Sequence, residues 1–150
     1  MIEIRPARAS DTAAIAAFQV LMARETEGME LNPPTVARGV AAVFADPAKG
    51  TFYVAQEAGR VIGCLLITYE WSEWRNGTVW WIQSVYVAPE ARRRGVYKSL
   101  YEYVKTLVAN NPAVLGLRLY VDKRNARAQK VYESLGMNGQ HYQVFEWMKA

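Results

Sequence analysis

Residues 2–7 alternate apolar with charged positions (Ile2, Glu3, Ile4, Arg5), the pattern of an edge strand. From Ser10 or Asp11, either of which can cap a helix, the spacing changes. Ile15, Phe18, Leu21 and Met22 recur at helical intervals until Gly28 interrupts them. Pro33-Pro34 then opens a second helix over 35–45, with Val36, Val40, Val43 and Phe44 on one face, and Asp46-Pro47 and Gly50 end it. Two strand-like runs at 51–56 and 61–69 are separated by Glu57-Ala58-Gly59-Arg60, which reads as a hairpin turn. A polar and aromatic loop from Trp71, closed by the turn signal Asn76-Gly77, leads to a third strand over 78–87.

The second half alternates element types. An amphipathic helix is predicted over 95–110, with Leu100, Tyr103, Val104 and Leu107 inward, followed by a strand at 114–121. A further helix over 125–135 ends at Gly136, a natural C′ residue, and a final strand is predicted at 143–148. The order β-α-α-β-β-β-α-β-α-β points to an α+β or mixed α/β sheet covered by helices. Neither a repeat nor a linker divides it, so residues 1–150 are expected to form a single domain.

Composition narrows the class. Half the residues are hydrophobic (51%) and a fifth charged (21%), which is globular and not disordered. No apolar run approaches the roughly 20 residues that span a bilayer, so no membrane partner is expected. The N-terminus, carrying Glu3, Arg5 and Arg8, lacks the apolar stretch of a secretory signal, and the lone Cys64 cannot form an internal disulfide. A cytoplasmic location is the expectation. Cys64 lies in an apolar run and reads as a small buried hydrophobe. His141 has no partners at ligand spacing, so no metal is expected.

The net charge of +4 is modest but uneven, since Arg92, Arg93, Arg94 and Lys98 fall within seven residues. They lie in WIQSVYVAPEARRRGVYKSL (81–100), where a strand runs through a basic turn into a helix. Helix N-termini present unpaired N–H groups and the positive end of the dipole, so they bind phosphate. Gly95, without a Cβ, lets such a turn approach an anion, and the arginines can fork onto phosphate oxygens. The same run, by itself, also suits a solvated basic face.

Residues 92–97, Arg-Arg-Arg-Gly-Val-Tyr, resemble the Arg/Gln-x-x-Gly-x-Gly/Ala signature of the GNAT superfamily of N-acetyltransferases, with Tyr97 at the position usually held by Gly or Ala. The preceding Ser84-Val85-Tyr86-Val87-Ala88-Pro89 resembles that family's fourth strand and its exit, and the likeness extends over nearly the whole chain. It implies a GNAT-like central, mostly antiparallel twisted sheet of six to seven strands flanked by about four helices. It also implies acetyl-CoA as cofactor. Main-chain groups of Val85 and Val87 would pair with its pantetheine arm, the amides of Arg93, Arg94, Gly95, Val96, Tyr97 and Lys98 would hold its pyrophosphate, and Arg92 and its neighbours would reach the phosphates. In DKRNARAQKVYESLGM (122–137), Asn125 and Tyr132 are seven apart and share one helical face. This resembles the family's later motif, in which the asparagine contacts the cofactor arm and the tyrosine faces its sulfur. A phenol, of reference pKa about 10, can protonate a departing thiolate, although a helical tyrosine can equally be a packed aromatic.

Direct transfer from the thioester to a primary amine of a small molecule or peptide is the implied reaction. It needs a neutral amine. Some relatives place a glutamate on the fourth strand to take the proton; here Gln83 stands there and cannot act as a base. Glu70 and Glu73 are the nearest carboxylates in sequence, and backbone carbonyls with water are the other route. Trp71 and Trp74, interleaved with those glutamates, suit a wall for a cationic or aromatic amine by cation–π attraction, or packing on the sheet or a dimer partner. Glu27 and Glu30, between the first helices, are further acceptor-side candidates, and family habit implies a homodimer. A basic cluster confined to one turn argues against nucleic acid, which favours charge spread along a face. A catalytically inactive coenzyme A-binding or interaction protein is the alternative, carried by Gln83 and Tyr97.

Overall fold

A computed structural model describes residues 1–149. The chain resolves into two compact units, residues 1–118 and a second that begins at Leu119. In the first, β1 (Glu3–Pro6), α1 (Thr12–Glu27), α2 (Pro33–Ala45), β2 (Thr51–Glu57), β3 (Arg60–Ser72), β4 (Gly77–Val87), α3 (Val96–Ala109) and β5 (Val114–Arg118) follow in order. The second contains α4 (Ala126–Ser134). The mixed α+β class holds. Among the described residues the sheet has five strands in the order β1-β2-β3-β4-β5, antiparallel except for the parallel pair β4–β5.

Five strands correct the expected six to seven. Residues 143–148 alternate as a strand would, yet they are in no ladder and are exposed. Periodicity supplies faces, whereas a strand also needs a neighbouring backbone to bond with. The predicted strand at 114–121 is likewise shorter, ending at Arg118. Trp71, expected in a loop, belongs to the end of β3, because the β3–β4 ladder runs out to the Ser72–Gly77 pair.

The local signals explain the elements. Gly28 closes α1 in the left-handed conformation (φ 60°), which costs glycine nothing. Asn32 caps α2 by accepting from the Thr35 N–H at 2.9 Å, with Pro33 and Pro34 in the first turn, where no N–H is missed. Asp11 precedes α1 without capping it. Its carboxylate accepts from the Arg8 N–H at 2.7 Å and from both terminal guanidinium nitrogens of Arg5, at 2.8 and 3.1 Å.

The sheet is covered on both faces. Phe52, Val54, Cys64 and Tyr86 meet Ile15 of α1 and Val40 of α2 in one buried cluster. On the other face Val96, Leu100 and Val104 of α3 are buried, and Tyr53 packs on Tyr103 with ring centroids 5.7 Å apart. A Cβ at Gly63 would lie 3.0 Å from the Tyr86 carbonyl oxygen and 3.3 Å from a Val96 methyl, so this glycine sets how closely α3 approaches the sheet. Each fully buried Ile or Leu contributes about 1.5–3 kcal/mol. Cys64 is completely buried, and burial pushes its thiol up to about 12, which makes it inert. No helix of the described residues is long and apolar enough to cross a membrane.

Candidate active site

The β3–β4 ladder slips by one residue where Leu66 pairs with Ser84 and Ile67 with Ile82, so Gln83 is an extra residue in β4. Such a bulge bends a strand and increases its twist. Gln83 sends its side-chain amide to Thr68 Oγ1 at 3.0 Å, while Ser84 pairs with Leu66 and faces α1 and α2 with it. Two adjacent polar residues breaking the alternation of an apolar strand were the one sequence signal of this bulge.

The bulge coincides with the end of β5. Trp81 pairs with Arg118, the last residue of that strand, whereas pairing to β3 continues as far as Val87. Among the described residues, therefore, β4 has a partner strand on one edge only from Ile82 to Val87. The Ala88 N–H donates to the Ile62 carbonyl at 2.8 Å. By strict alternation the main-chain groups of Tyr86 and Ser84 also face β3, and those of Val85 and Val87 face the unpaired edge.

Directly after this edge the chain turns into α3. Arg93 (φ 64°) and Gly95 (φ 77°) are both left-handed. Residues alternating in this way turn successive N–H groups into one concavity, an anion nest. The Ser99 N–H is the first to reach a helical carbonyl, that of Gly95 at 3.0 Å. The N–H groups of Arg93, Arg94, Gly95, Val96 and Lys98 have no acceptor among the described residues. A Cβ at Gly95 would meet nothing within 4 Å, so the room above it is unused by the chain. Tyr97, in place of the usual small residue, is half-buried in the first turn of α3 and leaves the concavity's backbone intact.

The three arginines differ in what they do. Arg92 donates from Nε to the Val87 carbonyl at 2.9 Å, bonds both carboxylate oxygens of Glu25 at 3.1 and 3.3 Å, and lies 5.3 Å above the Tyr86 ring. Arg94 forks onto both oxygens of Glu57. Arg93, exposed, makes no ion pair among the described residues. Proximity of the Tyr86 hydroxyl and then of Arg92 holds the Glu25 carboxyl below its ordinary value. Burial, followed by that same carboxylate, pushes the Tyr86 phenol up to about 12. Glu25, Glu57 and Tyr86 escaped sequence reasoning, since nothing local in the chain points to partners 67 and 37 residues away.

On the acceptor side, Glu70 accepts from the Trp81 indole N–H at 3.0 Å and from Arg118 at 2.7 Å. These donors, in that order, hold its carboxyl below the ordinary range and make it a poorer base. Glu73 lies exposed in the β3–β4 turn beside Trp74, which is 87% exposed, with Trp71 at the strand end. Glu27 is the exposed last residue of α1, and Glu30 is paired with Arg24 at 2.8 Å. Trp80 and Trp81 point to opposite faces and are half-buried, Trp80 packing on Tyr69. A depression of about 470 Å³ along the flank of α3, between Ile4 and Leu107, shares no residue with the bulge or the basic turn. Among the described residues no cluster of His, Cys, Asp or Glu could hold a metal ion.

In the second unit, Asn125 caps α4 by accepting from the Ala128 N–H at 3.0 Å, which leaves its amide N–H groups as donors. Tyr132, half-buried, lies two turns along the same helix, on the face below Asn125.

Comparison with known proteins matches residues 13–137 to the model of the acetyltransferase (GNAT) family. The chain is 42% identical to a possible acetyltransferase from Clostridium difficile 630, covering 100% of this chain and 99% of that one, with a TM-score of 0.94. More distant in sequence, and showing the fold alone, are aminoglycoside N-acetyltransferase AAC(6')-Iy in complex with CoA (17% identity, 100% and 96% covered, TM-score 0.80) and the ribosomal-protein-alanine N-acetyltransferase of Brucella melitensis biovar Abortus 2308 (14%, 99% and 100% covered, TM-score 0.78). No curated protein matches the sequence.

Proposed function

The chain belongs to the GNAT acetyltransferase family, and from that premise we propose that it transfers an acetyl group from acetyl-CoA directly to a primary amine of a small molecule or peptide. One observation carries the reading: the unpaired edge of β4 at Val85 and Val87 leads straight into the N–H concavity at 93–98. An extended amide arm needs the first and a pyrophosphate the second. The residues present fit that donor.

The thioester supplies an activated acetyl group, and the chain supplies position and protons. Val85 and Val87 align the arm along β4. The backbone of Arg93 to Lys98 and the Arg93 guanidinium hold the phosphates, while Arg92 and Arg94 fix the turn through Glu25 and Glu57. Asn125 donates to the arm, and Tyr132 gives its phenolic proton to the departing sulfur, as the resemblance implies. The acceptor approaches over the bulge, where Gln83 and Ser84 can orient an amine by hydrogen bonds. Glu70 is left out of the proton path, because Trp81 and Arg118 already occupy its carboxylate. The amine proton passes to water at this exposed edge, so turnover should rise with pH as the acceptor deprotonates.

Calorimetric titration with CoA tests the reading. Wild type should bind, and Gly95→Val should bind at least about tenfold more weakly, roughly 1.4 kcal/mol, because its Cβ occupies the room above the concavity. No association at millimolar CoA would remove the transferase assignment. Binding without thiol release across a broad amine panel would leave only a CoA-binding protein.

A further inference from the structure

The middle of α2 holds a glycine, the least helix-favouring residue after proline. Gly39 has ordinary helical backbone, so no left-handed angle requires it, and an added Cβ would meet no atom within 4 Å, so packing does not require it either. What its missing side chain leaves is space. Gly39 lines a depression of about 270 Å³ whose other apolar walls are Val36, Val40 and Val43 of the same helix, Phe52 of β2 and Leu66 of β3.

Two polar side chains complete the lining, Gln19 of α1 and Ser84 of the β4 bulge. The depression therefore opens onto the strand along which the acetyl group is presented. No charged residue lines it. Outside it, Glu25 is paired with Arg92, Glu30 with Arg24 and Glu70 with Arg118, while the exposed Glu27 and Glu73 do not line the depression. Its size is slightly under the roughly 300–1,000 Å³ of pockets that enclose a whole drug-sized ligand, so it suits one side group and not an oligosaccharide.

We propose that this depression receives an apolar side group of the acceptor, so that the substrate is a primary amine bearing a branched aliphatic or single-ring substituent, and that Gly39 determines this specificity. The inference rests on the transferase reading above. Ser84 and Gln19 hold the polar end of the acceptor, while the valines of α2 exclude water from its side group. An amine with several charges finds no counter-charge here, and burying its unpaired cations is unfavourable.

Leucinamide and glycinamide, which differ only in the isobutyl group, are the probes, with spermidine as the polycation. Wild type should use leucinamide with a kcat/KM about tenfold or more above that for glycinamide, the discrimination apolar pockets typically give. Gly39→Leu fills the space from within the helix and should abolish that preference, leaving CoA affinity within about twofold of wild type. Gly39→Ala, the milder change, should reduce the preference while raising the melting temperature. Without any donor present, line broadening of leucinamide in ligand-observed NMR should appear with wild type and vanish with Gly39→Leu. Equal use of leucinamide and glycinamide, or a Gly39→Leu variant that keeps the preference, overturns the inference; so does a wild type that favours spermidine. In each of these cases CoA binding and turnover persist and the transferase reading survives. Absence of CoA binding overturns both.

Discussion

Arg92 and Glu25 form an ion pair, with Nη2 3.1 Å from Oε2, that ties the basic turn to the last turn of α1. The same guanidinium donates to the Val87 carbonyl on the unpaired edge of β4. A phosphate ligand would keep its guanidinium available, whereas this one is held from three sides. Glu25→Gln is expected to weaken CoA binding about three- to tenfold in calorimetry while stability changes by less than about 1 kcal/mol, the usual worth of an exposed pair. Combining it with Arg92→Gln should add nothing, because the two residues act as one unit. Tighter CoA binding by Glu25→Gln would mean that Glu25 competes with phosphate for Arg92, and the clamp would be wrong.

Arg93 is held at φ 64°, where a residue with a Cβ is strained by about 1–2 kcal/mol. Glycine there would relieve the strain but lose about 0.5–1 kcal/mol through its extra freedom in the unfolded chain. Arg93→Gly is therefore expected to raise stability slightly, by about 0.5–1 kcal/mol in urea unfolding. It should also weaken CoA binding, since the guanidinium is lost. Stability and affinity that fall together would show that the side chain holds the turn instead.

If Tyr132 protonates the leaving sulfur, Tyr132→Phe should lower kcat by about 100-fold, a typical contribution of general acid catalysis, with CoA affinity nearly unchanged. Steady-state kinetics alongside CoA titration separates the two effects. Turnover equal to wild type would reduce Tyr132 to a packing residue of α4.

Asp11 and Arg5 are a nearly buried pair, their side chains 9% and 12% exposed. The Arg5 guanidinium, against some opposing desolvation, holds the Asp11 carboxyl below its ordinary value. A carboxyl lowered in the folded state contributes stability that is fully present above its unfolded pKa and is lost as pH falls through the folded one. Asp11→Asn should thus cost about 3 kcal/mol at neutral pH, since it leaves Arg5 buried without its counter-charge. The gap from wild type should narrow below about pH 4 in denaturant melts. A gap independent of pH would assign the loss to packing.

The elements of the first unit were legible because each has a local cause. Apolar spacing marked α1, α2 and α3, Gly28 marked a helix end, and the Arg-Gly turn marked the start of α3. Residues 143–148 show where that reasoning stops: they have the right alternation and no ladder. Trp71 shows the converse, a residue of loop-like company drawn into β3 by its partner strand.

The sequence by itself determined the family, the helix-opening glycine turn and the strand that leads to it, because these depend on neighbours within one turn or one strand. Only the tertiary structure decided that Arg92 and Arg94 are tied to Glu25 and Glu57, that Glu70 is held by Trp81 and Arg118, and that Gly39 borders an apolar space beside Ser84. Those relationships join residues dozens of positions apart, and a side chain's partners are set by which surfaces the packed sheet and helices bring within a few ångströms, which no local spacing encodes.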